Sequence, residues 1–319
     1  MRRLSSSAAI TAVGLRKAFA GKVVLGGIEL TVADGTVFAL LGPNGAGKTT
    51  MVRIFATLLA PDGGEVRVAG HDLATDPEGV RSAIGVTGQF SAVDNLLTGE
   101  ENLQLMADLR HFRREEARRR VRELLERFEL GDAAKQPVST YSGGMKRRLD
   151  LAMTLLGDPR LIFLDEPTTG LDPGSRRAMW QMIRELVSAG VTIFLTTQYL
   201  DEADRLANRI AVLDHGLIVA EGTPDELKRR VPYGHLRLHF PDAKAMESAA
   251  AVLGTGTGDG ETATLQVPSD GSPASLQIVL GRLSHAGIEP DRLSIHDADL
   301  DDVFLALTGH PSAQPEALP

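Results

Sequence analysis

The sequence predicts an α/β fold in which buried parallel strands alternate with helices. Three short apolar runs have the length and continuity of strands that are buried on both faces of a sheet. They are residues 37–41, 161–164 and 191–195. A helical pattern follows each run, and the first of these places Met51, Ile54, Phe55 and Leu58 at i, i+3, i+4 and i+7. The repeated order of strand, loop and helix builds a parallel sheet.

Two further regions flank and interrupt this core. Residues 28–32 and 65–68 alternate between apolar and polar, which predicts an outer antiparallel sheet near the start of the chain. Between 98 and 156 the pattern turns mostly helical, and one apolar stripe there comprises Val121, Leu124, Leu125 and Phe128. We therefore expect a helical subdomain that is inserted into the α/β core.

The composition shifts after Pro232, where a smaller α/β domain is predicted. Residues 236–240 alternate like a half-exposed strand, and the glycine-rich stretch 254–260 is expected to be a loop. Apolar positions within 276–283 and 300–307 predict two helices.

Composition excludes several classes of protein. The chain has 319 residues, 43% of them hydrophobic, which is enough for two domains and argues against global disorder. Its net charge of -8 argues against nucleic acid as the main partner. It has no cysteine, so a disulfide framework and a thiolate metal site are excluded. We find no run of about 18 apolar residues that could span a bilayer.

A phosphate-binding loop lies between the first buried strand and its helix. Residues 42–49 match the pattern G-x-x-x-x-G-K-[ST] in the strand–loop–helix context that this pattern requires. Lys48 is expected to reach the β- and γ-phosphates of a nucleotide, and the Thr49 hydroxyl to bind Mg²⁺. The alternative is a glycine-rich turn without a ligand. The predicted phosphate-binding residues are Gly42, Pro43, Asn44, Gly45, Ala46, Gly47, Lys48, Thr49 and Thr50.

Two carboxylates follow the second buried strand. Asp165 ends this strand at the edge where α/β sheets bind ligands, and we expect it to hold Mg²⁺ through water. Glu166 comes next and is predicted to polarise the attacking water as general base. The alternative is that both are acidic residues at the start of a helix.

Four other residues are candidates for contact with the nucleotide. Gln89 follows the short strand 84–86 and is expected to bind Mg²⁺ or the attacking water, unless it is only a surface glutamine. Phe19 is a candidate to stack on adenine, with core packing as the alternative. Asp172 is a candidate contact with an opposite subunit, or a turn aspartate before Pro173. Gln198 is expected to touch the γ-phosphate through an amide, which carries no charge.

The turn Ser142-Gly143-Gly144 lies between the phosphate loop and the carboxylates in sequence. With one phosphate loop and one such turn, the chain is predicted to form half of an ATP sandwich, in which the nucleotide of one subunit is covered by the Ser-Gly-Gly turn of another. Within one subunit these two elements would serve different nucleotides. A head-to-tail homodimer with two ATP sites is therefore predicted.

Two patterns suggest other ligands but have simpler explanations. Arginines are dense between 113 and 122, yet glutamates at helical pairing distances favour a salt-bridged surface over a nucleic-acid site. His235 and His239 lie on an alternating strand with no third ligand nearby. We assign no metal other than Mg²⁺.

These motifs, in this order, resemble the ATP-binding subunits of ABC transporters over residues 10–223. The stretches 84–90, 97–103, 196–200 and 299–304 are similar to the daunorubicin/doxorubicin-resistance branch. Two features depart from the wider superfamily. Tyr141 and Met145 flank the Ser-Gly-Gly turn where Leu and Gln are usual, and Gln198 replaces the usual histidine. The resembled branch also tends to carry glutamine there.

The resemblance implies an ABC cassette of the P-loop NTPase type. Such a cassette has a RecA-like core with an antiparallel β subdomain and a helical subdomain, here followed by the small C-terminal α/β domain. We expect residues 10–230 to form the ATPase domain, 91–156 its helical subdomain and 231–308 the small domain. Residues 1–9 and 309–319 are expected to be disordered.

The resemblance also implies an activity and partners. The chain would bind and hydrolyse ATP with Mg²⁺ and drive efflux of a hydrophobic drug or antibiotic-like compound through a separate membrane permease. It would lie at the cytoplasmic face of the membrane without binding the transported compound itself. The alternatives are an ABC ATPase with a non-transport target and a cassette that serves another substrate.

Overall fold

The computed structural model describes residues 8–88, 92–229, 234–269, 272–296 and 299–308. These divide into two compact units, which meet in sequence between Thr223 and Pro224. Strand β1 already includes Ala8 and Ala9, so the predicted disordered start does not reach them. Residues 1–7 and 309–319 lie outside the described residues, and the predicted domain limits stay predictions.

The first unit contains two sheets. Its strands are β1 (Ala8–Phe19), β2 (Lys22–Ala33), β3 (Val37–Leu41), β4 (Gly63–Val68), β5 (His71–Asp72), β6 (Ile84–Thr87), β7 (Leu161–Asp165), β8 (Thr192–Thr197), β9 (Arg209–Asp214) and β10 (Leu217–Gly222). The outer sheet has the order β2-β1-β4-β5 and is antiparallel. The central sheet has the order β10-β9-β3-β8-β7-β6, with only β10 antiparallel to its neighbour. The predicted parallel core and outer antiparallel sheet are both confirmed.

Helices pack on this sheet and form the inserted helical region. They are α1 (Lys48–Phe55), α2 (Pro77–Ala83), α3 (Gly99–Leu109), α4 (Arg114–Arg127), α5 (Gly143–Leu155), α6 (Pro173–Ser188) and α7 (Leu200–Leu206). Two single 3-10 turns, Gly131–Ala133 and Val138–Thr140, precede α5. Thr98 begins α3 with a reciprocal capping box, because its hydroxyl accepts from the Glu101 N–H while the Glu101 carboxylate accepts from the Thr98 N–H.

The first helix is shorter than its apolar stripe predicts. It ends at Phe55, and Thr57 then takes a positive φ of 62°, which turns the chain away from the helix axis. Leu58 therefore lies beyond the helix and is 67% exposed. The prediction that Leu58 belongs to this helix was wrong.

An aromatic cluster fixes α1 against the central sheet. Phe38 on β3 stacks on Phe194 of β8 with centroids 5.6 Å apart. Phe55 meets Phe194 edge to face at 5.7 Å and lies 6.2 Å from Phe163 on β7. All four rings are fully buried. Phe55 is the last residue of α1, so these contacts anchor the C-terminal end of the helix to β7 and β8.

The second unit is a small α/β unit with its own core. Its elements are α8 (Pro224–Lys228), β11 (Gly234–His239), α9 (Ala243–Leu253), β12 (Thr257–Asp259), β13 (Thr264–Ser269), α10 (Pro273–His285), β14 (Arg292–His296) and α11 (Leu300–Thr308). The antiparallel sheet has the order β12-β13-β11-β14. The stretch 254–260, expected to be only a loop, contains the short edge strand β12.

Candidate functional site

The phosphate-binding loop joins β3 to α1, and its backbone admits only small residues at key points. Gly45 and Gly47 have φ angles of 83° and 113°, a region that side chains disfavour. A Cβ atom on Gly42 would lie 2.3 Å from the carbonyl oxygen of Leu213 on β9. Ala46 is buried, whereas Asn44 is exposed. This loop leads directly into the N-terminus of α1, where backbone N–H groups favour an anion.

Lys48 lies at the start of α1 and is 5% exposed. Its ammonium group donates to the carbonyl oxygens of Gly42 and Pro43, at 2.7 and 3.2 Å. The Nζ atom also lies 3.9 Å from Oε1 of Glu166. Burial lowers the pKa of Lys48 from its usual value, while Glu166 and then Asp165 oppose that shift by attraction. The ammonium group of Lys48 is thus a desolvated cation that lies against the carbonyl oxygens of the loop.

Asp165 ends β7, and its carboxylate accepts hydrogen bonds from two hydroxyl groups. Its Oδ1 atom accepts a hydrogen bond from Thr196 of β8 at 2.5 Å, and Thr49 donates to the same atom over 3.4 Å. Thr49 and Asp165 offer hydroxyl and carboxylate oxygens, which are donors that Mg²⁺ prefers. Within the described ranges no cluster of three or more His, Cys, Asp or Glu residues could hold a metal by itself. The donors present fit a Mg²⁺ that is shared with phosphate.

Glu166 follows Asp165 with a left-handed backbone, at a φ of 50°. Its N–H donates to the carbonyl oxygen of Thr196 at 3.1 Å and approaches the Thr196 hydroxyl at 3.2 Å. Thr169 donates to the Glu166 carboxylate at 3.3 Å. The side chain is 11% exposed, so this carboxylate faces a partly desolvated space beside Lys48.

The structure therefore brings together four residues that the sequence singled out: Lys48, Thr49, Asp165 and Glu166. Thr50 lies half-buried in α1. Phe19 ends β1 with 47% of its surface exposed, and the Lys17 ammonium lies 5.4 Å from its ring. An exposed ring is free to stack, but its contact with adenine stays a prediction. Gln89 lies outside the described residues.

The Ser-Gly-Gly turn opens α5. The Ser142 hydroxyl accepts from the N–H of Met145 at 3.2 Å and so acts as the helix N-cap. Ser142 and Gly143 are exposed, whereas Gly144 is buried. A Cβ atom on Gly144 would lie 2.4 Å from the Ser175 hydroxyl on α6, so only glycine fits this approach.

Asp172 caps α6 through its carboxylate. Oδ1 accepts from the N–H groups of Gly174 and Ser175 at 2.9 and 3.0 Å. Hydrogen bonds from Ser175, first from its side chain, lower the pKa of Asp172. The carboxylate is solvent-exposed and keeps its charge, but its predicted contact with an opposite subunit stays a prediction.

Gln198 follows β8 directly and is half-buried. The Thr197 hydroxyl accepts from the N–H of Tyr199 at 3.0 Å, which orders the backbone around this glutamine. Its predicted contact with the γ-phosphate stays a prediction.

Two buried groups near the site were missed by sequence reasoning. Glu202 on α7 accepts hydrogen bonds from the Thr168 hydroxyl and the Trp180 indole, at 2.9 and 3.1 Å. Arg147 on α5 forms an ion pair with Asp150 at 3.4 Å. Burial lowers the pKa of Arg147 and raises that of Asp150, and their mutual attraction opposes both shifts.

The arginine-rich segment forms the predicted salt-bridged surface on α4. Arg119 pairs with Glu123 at 2.8 Å, and Arg120 pairs with Glu116 at 3.2 Å, both at helical spacing. Arg120 also contacts Asp158 at 2.6 Å. These pairs offset the charge of Arg119 and Arg120.

The chain is similar to known proteins in sequence. The family described as ABC transporter matches residues 25–169. The daunorubicin/doxorubicin resistance ATP-binding protein DrrA of Streptomyces peucetius is 48% identical, over 95% of this chain and 93% of that protein. The doxorubicin resistance ATP-binding protein DrrA of Mycobacterium tuberculosis is 44% identical, over 95% of each. A Nod factor export ATP-binding protein I of Rhizobium is 37% identical, over 95% of this chain and 98% of that protein.

Solved structures match about 70% of the chain. An ATP-binding subunit of an ABC transporter superposes with a TM-score of 0.63 at 30% identity, covering 70% of this chain and 92% of that one. The protein cbiO1 of Clostridium perfringens, part of the ABC transporter complex cbiONQ, gives a TM-score of 0.65 at 26% identity over 71% and 95%.

Proposed function

The chain belongs to the ATP-binding proteins of ABC transporters, and on that basis we propose that its ATP hydrolysis drives export of a hydrophobic, drug-like compound through a separate permease. The relatives in daunorubicin and doxorubicin resistance are 48% and 44% identical to this chain, against 37% for the Nod factor export protein, which favours a drug over other cargo. A cargo of the Nod factor type is the second candidate, because the export proteins that carry that name also align along nearly the whole chain.

One observation carries the catalytic part of this proposal. Lys48, Thr49, Asp165 and Glu166 converge at the ends of β3 and β7 and at the start of α1. The glycine loop would bind the phosphates through backbone N–H groups, and Lys48 would bind the β- and γ-phosphates. Glu166 would accept a proton from the attacking water. Thr49 and Asp165, with Gln89, would hold Mg²⁺, which would offset charge on the phosphates.

A second copy of the chain would complete each site. Ser142 and Gly144 lie at the N-terminus of α5, a helix of 13 residues whose dipole favours a γ-phosphate there. In a head-to-tail dimer, this turn of one copy would cover the nucleotide on the Lys48 of the other. ATP favours the closed dimer because only the closed state gains those contacts, and hydrolysis removes them.

The permease would bind a groove beside the helical region. This groove has a volume of about 350 Å³, and its lining includes Leu58, Val86, Met106 and Arg110. Leu58 and Val86 expose apolar side chains there, and such patches favour contact with another protein.

Hydrogen bonds from a buried side chain fix the backbone of residues 94–98, which precede α3. Asn102 is buried on α3, donates to the carbonyl oxygens of Asp94 and Thr98, and accepts from the Asp94 N–H at 2.8 Å. An ordered segment of this kind is suited to transmit dimer closure to the permease.

The membrane association would be peripheral, at the cytoplasmic face. Among the helices of the described residues, none has both the length and the apolar character needed to cross a membrane. Attachment through a permease accounts for the location without a spanning helix.

The test is drug accumulation in cells. The chain would be co-expressed with a candidate permease, a polytopic membrane protein from the same genome, and the fluorescence of daunorubicin in drug-loaded cells would be followed. We expect the wild-type pair to lower drug content and the pair with Glu166→Gln to leave it at the level of empty cells. Equal drug content with wild type and variant, at equal expression, would contradict drug export.

A further inference from the structure

Arg147 places its guanidinium group between two other segments of the backbone, residues 165–167 and the end of β6. It lies on α5, five residues after Ser142, and is 8% exposed. Nε donates to the carbonyl oxygen of Pro167 at 3.0 Å, and Nη2 donates to that of Asp165 at 3.1 Å. Nη1 donates to the carbonyl oxygen of Gly88, just beyond β6, at 2.7 Å. All three guanidinium nitrogens thus hold main-chain oxygens.

Two of these oxygens flank Glu166 in the chain. Asp165 precedes Glu166 and Pro167 follows it, so Arg147 holds the peptide unit that joins Asp165 to Glu166 and the peptide unit that follows Pro167. The N–H of Glu166 is held separately by Thr196. The backbone of Glu166 is left-handed, a conformation that persists in a residue with a side chain only when its surroundings impose it.

We propose that Arg147 is a positioning residue for ATP hydrolysis, which holds the left-handed backbone of Glu166 so that its carboxylate stays beside Lys48. The inference rests on the proposed role of Glu166 as general base. It also connects that residue to α5, the helix that starts at the Ser-Gly-Gly turn.

The geometry requires arginine at this position. Only a planar guanidinium can direct several N–H groups in fixed directions at once, whereas a lysine ammonium is a compact point charge on a flexible stem. Asp150 keeps this group in place, since its Oδ2 contacts Nη1 at 3.4 Å while Oδ1 accepts from the N–H of Ala92 at 3.3 Å. The ion pair therefore orients the arginine and offsets its burial.

The first test compares two neighbouring lysine substitutions in the full-length protein. Arg147→Lys keeps the charge but loses the planar set of N–H donors. We therefore expect kcat to fall about tenfold or more while KM for ATP changes by less than about threefold. Arg148→Lys is the matched control, because Arg148 lies on the same helix and is partly buried, but pairs at 2.8 Å with Glu129, whose side chain is exposed. It should keep kcat within about twofold.

Turnover is normalised to the amount of folded protein, measured by binding of a fluorescent ATP analogue. If Arg147→Lys keeps the wild-type kcat, the positioning role is refuted while the proposed ATPase stands. If the wild-type protein itself does not turn over ATP, the inference and the proposed function both fail.

A second pair of variants separates positioning from stability. Arg147→Met leaves Asp150 as an unpaired buried charge and should lower Tm, whereas Arg147→Met with Asp150→Leu removes both charges and should recover Tm. We expect kcat of the double variant to stay about tenfold or more below wild type even where Tm recovers. Recovery of kcat together with Tm would show that the pair only stabilises the fold and would overturn the proposal. If neither methionine variant folds, the lysine pair still decides.

Discussion

The ammonium nitrogen of Lys48 and the Oε1 atom of Glu166 lie 3.9 Å apart, although 118 positions separate the two residues in sequence. The lysine is otherwise bound only by two carbonyl oxygens of its own loop among the contacts of the described residues. The cation that would bind the phosphates and the carboxylate that would activate water are therefore parts of one electrostatic unit. Substitution of Lys48 tests the phosphate-binding part, and substitution of Glu166 tests the part that activates water.

Replacement of Lys48 by alanine removes the cation from the phosphate loop. We expect Lys48→Ala to reduce phosphate release at least about a hundredfold, because the variant loses the charge that stabilises the transferred phosphoryl group. Lys244→Ala is the control, as Lys244 is an exposed residue on α9 in the second unit. Turnover near the wild-type level in Lys48→Ala would remove the assignment of the phosphate loop.

Replacement of Glu166 by glutamine keeps the size of the side chain and removes its basicity. We expect Glu166→Gln to bind ATP, to hydrolyse it at least about a hundredfold more slowly and to accumulate as a dimer. Light scattering during gel filtration, with and without ATP, measures the mass. Glu123→Gln, an exposed change on α4, should behave like the wild type. A variant that stays monomeric at saturating ATP would contradict the sandwich.

Histidine at position 198 tests whether Gln198 only orients the γ-phosphate. We expect Gln198→His to keep turnover within about threefold, since imidazole can also donate a hydrogen bond to phosphate. The variant should acquire a new pH dependence near the histidine pKa of about 6.5, which the wild-type amide lacks. Complete loss of phosphate release in a folded variant would assign Gln198 another role.

Glu202 gives a prediction for stability. Burial raises the pKa of Glu202 from 4.5, and hydrogen bonds from Thr197, Thr168 and Trp180 oppose the rise. The folded protein thus holds this proton more tightly than the unfolded chain. Its contribution to stability is complete below the unfolded pKa and is lost as pH rises through the folded pKa. The glutamine in Glu202→Gln cannot titrate, so the Tm of this variant should fall less than that of the wild type as the pH is raised.

The measurement is Tm by scanning fluorimetry between about pH 5 and pH 8. Glu185→Gln, an exposed substitution on α6, is the control that should follow the wild-type slope. Parallel curves for Glu202→Gln and the wild type would show that Glu202 does not titrate differently in the folded protein.

The sequence was most informative where one motif lies on one element. Residues 37–41 form β3 as predicted, and the phosphate loop and α1 follow from a local pattern of glycines and a lysine. Asp165 and Glu166 were predicted to follow a strand at the sheet edge where ligands bind, and the structure brings Glu166 at that edge to within 3.9 Å of Lys48. The contact itself was not predicted from the sequence.

Arg147 and Glu202 could not be identified in this way. The acceptors of Arg147 are backbone carbonyl oxygens, which every residue has, so no residue type marks them in the sequence. Glu202 lies among charged residues on α7, where an exposed helix surface was the simpler interpretation. The helix end before Leu58 was also hidden, because Thr57 takes its left-handed backbone without a glycine.

The close packing at Gly144 has a mechanical consequence. Ser175 lies against this glycine and also donates its N–H to Asp172, so one residue connects the Ser-Gly-Gly turn with the loop before α6. Both segments are proposed to face a second copy. The two parts of the surface offered for pairing are therefore in direct contact through Ser175, and a spectroscopic probe placed on either segment should report the displacement of both.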